Sequence, residues 1–84
     1  MTFPTESVTL SVEQIKALNE KLSRMRHDVN GTLTPIILAV ELLRLKPEDS
    51  ERRLNMIAEQ SQKIGPAITQ FSVELESALH ITRP

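Results

Sequence analysis

Two stretches of this 84-residue sequence carry apolar residues at alternating spacings of three and four, and one proline separates them. This spacing is the heptad pattern of helices that pack side by side. In the first stretch the pattern occupies Ile15, Leu18, Leu22, Met25, Val29, Ile36 and Leu43, with Thr32 and Ala39 in the two remaining positions. In the second it occupies Leu54, Ile57, Ile64, Ile68, Phe71, Leu75 and Ala78, with Ser61 as a polar member. The pattern predicts an all-α protein.

The ends of two helices can be read from local signals. Ser11 and Gln14 have the spacing of a capping box, which starts a helix. Pro47 pushes the residue before it out of the helical conformation, so we expect a first helix over about 11–45 and a second over about 48–80. So short a connection makes the helices antiparallel. The predicted division is a flexible tail at 1–10, a helical hairpin at 11–81 and a tail at 82–84.

The hairpin has more apolar surface than it can bury by itself. Beyond Val29 the apolar stripe widens through Leu33, Ile37, Val40 and Leu42. A single chain of this size buries only a small amount of apolar surface. The sequence has no cysteine, so no disulfide can stabilise the fold. We therefore expect two copies to form a homodimeric four-helix bundle about a twofold axis. The alternative is a monomer that borrows helices from a longer chain.

Composition and charge exclude several classes of function. A net charge of −1 gives no general attraction to nucleic acid or anionic lipid, so neither is a predicted partner. The longest apolar run, 36–40, is too short to span a bilayer, and residues 1–10 lack the features of a secretion signal. A cytoplasmic location is the default. The sequence has no Gly-rich phosphate loop, metal-ligand cluster or hydrolase triad.

His27 is the best candidate for chemistry. It lies between the seam residues Met25 and Val29 in sequence but on the outward face of the helix. Most exposed helical histidines are ordinary surface residues, so the argument depends on the neighbours. Arg24, Asn30 and Gly31 are three or four residues away and share the outer face.

Asp28 and Gly31 each suggest a role beside the histidine. A carboxylate that accepts a hydrogen bond from Nδ1–H, directly or through water, leaves the Nε2 lone pair free as a nucleophile. Gly31 costs about 1 kcal/mol in a helix relative to alanine. Because glycine has no side chain, it would leave space beside the imidazole for another molecule to approach closely. The alternative reading of Gly31 is a tolerated kink.

The segment from His27 to Ile36, His-Asp-Val-Asn-Gly-Thr-Leu-Thr-Pro-Ile, resembles the H-box of two-component histidine kinases. The surrounding hairpin, about 12–80, resembles their dimerisation and histidine-phosphotransfer domain. The resemblance implies that His27 is the phosphoacceptor and that Asp28 acts as its base. It also implies docking of a response-regulator receiver domain on the first helix near the histidine and on the adjoining second helix. Arg24 or Arg26 would stabilise the negative charge of the phosphoryl group.

Two departures from that family limit the resemblance. The family commonly has Asn or Thr four residues after its histidine, where this chain has Gly31, so phosphatase activity is not predicted. The sequence has no room for the ATP-binding domain, so ATP and Mg²⁺ enter only through a separate kinase domain and no cofactor is expected here. Two alternatives stay open: a non-catalytic dimeric adaptor that binds response regulators or a kinase, and a generic coiled coil.

Prolines inside both helices predict bends near the histidine. Pro35 removes a hydrogen bond to the Gly31 carbonyl, and Gly65-Pro66 weakens the second helix. Counting outward from Pro47, Gly65-Pro66 falls level with His27. These bends could be incidental, or they could soften both helices for phosphoryl transfer. His80 has no predicted catalytic role.

Overall fold

The structure, a computed structural model, describes residues 1–82 and is all-α. Its elements are α1 (Val12–Leu45), a 3₁₀ turn (Pro47–Asp49), α2 (Ser50–Ser61) and α3 (Ile64–Ala78). Residues 1–82 contain no β-strand, although Thr2 and Thr82 form an isolated antiparallel bridge. The predicted all-α class is confirmed. Residues 83–84 of the predicted C-terminal tail lie outside the described residues.

Helix α1 begins and ends where the sequence predicts. The Ser11 hydroxyl accepts a hydrogen bond from the Gln14 N–H (3.1 Å), and the Gln14 side chain accepts one from the Ser11 N–H (2.8 Å). This is the complete capping box, which satisfies two N–H groups that a helix start leaves free. At the other end the Lys46 N–H still donates to the Leu42 carbonyl, and Pro47 stops the helix. The helix in the structure, Val12–Leu45, differs from the predicted bounds, 11–45, by one residue.

The second arm, residues 47–78, differs from the single helix predicted over 48–80. It opens with the 3₁₀ turn and is interrupted at Gln62 and Lys63, which separate α2 from α3. Pro66 explains the interruption, because it has no N–H for the Gln62 carbonyl and its ring crowds that oxygen. Gly65 before it adds backbone freedom. The bend predicted at Gly65-Pro66 is confirmed, and a continuous second helix was wrong.

Pro35 has a milder effect in the first helix. It lies inside α1, which continues without interruption for ten more residues to Leu45. Two threonine hydroxyls bond back to the preceding turn there, Thr32 to the Asp28 carbonyl (2.9 Å) and Thr34 to the Asn30 carbonyl (3.2 Å). The residue before Pro35 is Thr34 rather than a glycine, so the backbone is stiffer than at Gly65-Pro66.

The molecule is a single layer of helices. Its dimensions are 59 × 28 × 13 Å and its radius of gyration is 18.2 Å, whereas a compact chain of this length would have about 12 Å. A helix with its side chains is about 10 Å across, so each helix has neighbours on one side only. No large side chain is fully buried in the described residues. The apolar seam is therefore only half covered.

Burial within α1 is concentrated at Thr32 and Ala39. Ala39 is 1% exposed and Thr32 is 7% exposed, and they are the two buried residues of α1. Both occupy heptad positions that the sequence fills with small side chains, which let backbones come close together. The Thr32 hydroxyl keeps a partner in the Asp28 carbonyl, so burying it leaves no polar group unsatisfied.

An ion pair joins the outer ends of the two arms. Lys21 Nζ, in the first third of α1, lies 2.5 Å from the Glu74 carboxylate near the end of α3. Both side chains are 40% exposed, so the pair contributes at most about 1 kcal/mol. Together with the Thr2–Thr82 bridge, it connects the beginning of the chain to its end.

His80 closes α3 in a strained backbone conformation. Its φ of 57° lies in the left-handed region, which costs a residue other than glycine roughly 1–2 kcal/mol. The His80 N–H donates to the Ser77 carbonyl (3.4 Å), and the Ile81 N–H donates to the Glu76 carbonyl (2.8 Å). These two bonds form a Schellman motif, in which glycine is the usual residue at the position of His80.

We therefore expect His80→Gly to raise the free energy of unfolding by about 1 kcal/mol, because glycine adopts this conformation without a steric penalty. Urea unfolding at fixed protein concentration measures the change. His80→Ala is the control, since it removes the imidazole and keeps the strain. An equal gain from alanine would show that the side chain, and not the backbone, carries the effect.

Candidate functional site

His27 lies on an exposed part of α1 at the edge of an open groove between the two arms. The groove, called the His27 groove below, has a volume of about 450 Å³. Its lining comprises His27, Asp28, Gly31 and Thr32 from α1, with Lys63, Pro66, Ala67 and Gln70 from the second arm. The groove is open to solvent, so a second protein could reach the imidazole directly.

The residues across the groove agree with the predicted register. Counting outward from Pro47 places Gly65-Pro66 level with His27, and Pro66 lines the groove with it. The break in the second arm at Gln62 and Lys63 therefore lies directly opposite the histidine. The arm is interrupted where the candidate site is, and not elsewhere along its length.

Asp28 forms no direct hydrogen bond with His27. Among residues 1–82, neither side chain has a hydrogen-bond or ion-pair partner. Adjacent residues on a helix point about 100° apart and do not face each other. A bond from Nδ1–H straight to the carboxylate is therefore not formed in this structure. Asp28 can orient the ring only through a bridging water or after a side-chain rotation.

Gly31 leaves a gap that the fold does not require. A Cβ added at Gly31 would meet no atom within 4 Å, and its backbone is ordinary helix. Helix propensity alone would favour alanine here by about 1 kcal/mol. The exposed glycine instead leaves the groove floor bare one turn after His27.

The three polar residues predicted around His27 lie in different places. Arg24 lines a second, smaller groove, called the Lys21 groove below, which is formed by Lys21, Arg24, Met25, Asp28, Ala67, Gln70, Phe71 and Glu74. Arg26 and Asn30 are exposed and line neither groove. The structure thus brings His27, Asp28 and Gly31 together, with Arg24 one groove away. It leaves Arg26 and Asn30 on the other side of the histidine.

Lys63 and Gln70 are the groove residues that sequence reasoning missed. Both come from the second arm, and neither belongs to a recognisable motif. The register that placed Gly65-Pro66 level with His27 contained the necessary signal. Residues on the same face of that arm, one turn before and one turn after Pro66, should also border the histidine.

Comparisons with known proteins give no information about this site. No family model, curated protein or solved structure matches this chain. Within residues 1–82, no helix combines the length and the hydrophobicity needed to cross a membrane. The same residues contain no group of three or more His, Cys, Asp or Glu side chains placed to hold a metal ion.

We expect Gly31→Ala to raise the free energy of unfolding by about 1 kcal/mol, because the added methyl has room and alanine is the better helix former. Urea unfolding measures the gain. Ser23→Ala, at another exposed position of α1, serves as the control and should gain only roughly half as much, since serine tolerates a helix better than glycine does. A destabilised Gly31→Ala variant would show that the fold itself needs this glycine.

Proposed function

We propose that this protein carries a phosphoryl group on His27 and exchanges it with the aspartate of a response-regulator receiver domain in a two-component phosphorelay. The observation that carries the proposal is an exposed imidazole with no partner among residues 1–82, at the edge of an open groove that Gly31 keeps clear. A buried or paired histidine could not meet a second protein. This one is accessible, and the second arm supplies further polar groups around it.

The transfer is a displacement at phosphorus. The Nε2 lone pair of His27 attacks in line, a P–N bond forms, and the P–O bond to the receiver's aspartyl group breaks, leaving a carboxylate. The proton on Nδ1 then passes to Asp28 through water, or to solvent. Magnesium belongs to the receiver's site in this scheme. Transfer in the opposite direction follows the same path backwards.

The resemblance of residues 27–36 to a histidine-kinase H-box supports the same chemistry. Under this proposal a phosphorylated receiver, or a kinase ATPase domain separate from these 84 residues, supplies the phosphoryl group, and ATP is bound by that domain. The Lys21 groove continues from the His27 groove along the same two helices. A receiver that docks at His27 would therefore also meet Arg24.

We propose further that the chain is an antiparallel hairpin that dimerises into a four-helix bundle. The accessible surface is 6554 Å², against about 5,000 Å² for a compact monomer of this mass. Several apolar side chains of α1 and α3 stay exposed: Ile15, Leu33, Ile37 and Ile68 are 38–62% exposed. A second copy would cover them and leave the His27 groove open.

A second candidate function is a dimeric adaptor that binds a receiver or a kinase without accepting phosphate. The missing hydrogen bond between His27 and Asp28 favours it, because an imidazole without a fixed tautomer is a weaker nucleophile. The same groove would then serve docking alone. The two candidates differ in one measurable product, a phosphohistidine.

Incubation with phosphorylated receiver domains, and with a histidine-kinase ATPase domain plus ATP and Mg²⁺, should give this protein acid-labile, base-stable phosphate. His27→Gln should abolish it, because the amide has no nucleophilic lone pair. The chain has one other histidine, so His80→Gln is the matched control and should keep the wild-type level. Intact-mass analysis under basic conditions with peptide mapping locates the phosphate.

Receivers that bind the groove yet leave the wild-type protein unphosphorylated would favour the adaptor. Phosphate that survives His27→Gln and disappears in His80→Gln would place the chemistry at the wrong end of the molecule. Either result contradicts phosphoryl transfer through His27.

The dimer is tested with Ile37→Glu, which puts a carboxylate on the exposed apolar side of α1. We expect the dimer dissociation constant to rise by about tenfold or more, since an unpaired buried charge is strongly unfavourable. Sedimentation equilibrium measures it. Leu45→Glu is the control at the end of α1, where leucine is 76% exposed and on the same side as His27. A wild-type monomer at micromolar concentration would overturn the bundle.

A further inference from the structure

Lys63 places a positive charge across the groove from His27. It belongs to the second arm, at the interruption between α2 and α3, and it lines the His27 groove with Asp28 and Pro66. No ion pair or side-chain hydrogen bond engages it among residues 1–82. Among residues 1–82, Lys63 is the only lysine or arginine that lines this groove, and Asp28 is the only carboxylate.

The helix break explains why Lys63 faces the groove. Pro66 cannot donate to the Gln62 carbonyl, so α2 ends at Ser61 and α3 begins at Ile64, with Lys63 between them. Lys63 is the N-cap residue of α3 and makes no side-chain cap bond. The positive end of the α3 dipole adds to the charge of its ammonium group. The interruption thus places the Lys63 side chain, which has no ion-pair partner among residues 1–82, level with His27.

We infer that Lys63 is a catalytic residue whose ammonium group binds the oxygens of the phosphoryl group as it moves to or from His27. This inference rests on the proposed phosphoryl transfer. The phosphoryl group carries its negative charge on three outer oxygens, and fixed positive charge beside them lowers the barrier. While the P–N bond forms on one side of phosphorus and the P–O bond breaks on the other, Nζ contacts the outer oxygens and takes no part in either bond.

Other cations near the histidine are less suited to this role. Lys21 is held by Glu74, and Arg24 lines the neighbouring groove rather than this one. Asp28 repels the phosphoryl oxygens, so an approaching group needs a compensating charge on the opposite wall. Lys63 supplies that charge from the second arm.

The experiment measures phosphorylation of His27 by phosphoramidate, a small donor that needs no partner protein. We expect Lys63→Met, which keeps the length of the side chain and removes its charge, to slow phosphorylation roughly tenfold. That is less than the hundredfold or more found on removing one donor from an enclosed oxyanion site, because this groove is open to water. Lys63→Arg should restore most of the rate. Lys16→Met, an exposed lysine near the start of α1 outside both grooves, should react like the wild type.

Saturation with phosphoramidate separates chemistry from binding. If Lys63 stabilises charge in the transition state, its removal in Lys63→Met lowers kcat, and Lys63→Arg restores it. A purely structural defect would not be rescued by arginine and would lower the melting temperature. Phosphate on His27 at an unchanged rate in Lys63→Met would overturn the role of Lys63 and leave the proposed function intact. A wild-type protein that gains no phosphate on His27 from phosphoramidate or from phosphorylated receivers would overturn both.

Discussion

The burial of Thr32 and Ala39 in α1 is the packing on which the rest of this structure depends. In a layer 13 Å thick each helix has a neighbour on one side only. The approach of the second arm to α1 therefore sets which residues of the two arms face each other. Small side chains allow the approach, and the Thr32 hydroxyl is satisfied within its own helix. Thr32 also lines the His27 groove. The packing contact and the candidate site are therefore the same stretch of α1, and the register that buries Thr32 sets which residues of the second arm stand opposite the histidine.

The ends of α1 could be predicted from local sequence signals. The residues of the second arm that lie opposite His27 were harder to predict. The capping box at Ser11 and the stop at Pro47 act within a few residues, and the structure places both as the sequence predicts. The break before Ile64 was underestimated as a bend, because the heptad phase continues through it and gives no sign of a lost turn. Lys63 was missed because no motif contains it, although the predicted register already placed the neighbouring Gly65-Pro66 level with His27. The direct hydrogen bond from His27 to Asp28 is not formed, since adjacent side chains on a helix diverge, and a bond through water stays a prediction.

The candidate site is open on the side where a partner would stand. Its walls are the two arms, and its outer face is solvent. Under the proposed function, a phosphoryl group on His27 would be held by charge, because an imidazole with neighbours on one side cannot exclude water from it. Specificity then depends on what the partner brings, which includes the metal ion and the remaining contacts to phosphorus. In the proposed dimer, a second copy covers the exposed apolar side chains of α1, and the polar groove at His27 stays open to the receiver domain.

The residues that weaken helices are concentrated around this groove. The chain has two glycines, Gly31 and Gly65, and its two prolines within α-helices are Pro35 and Pro66. All four lie level with or within about two turns of His27, although neither glycine is needed to avoid a clash. Helix propensity alone would favour alanine at both glycines and at Pro35. Departures from local preference without a structural benefit are expected where a protein works rather than where it only folds. Under the proposed function, the gap at Gly31 and the break beside Lys63 serve the same end, because each leaves His27 accessible at a cost in helix stability.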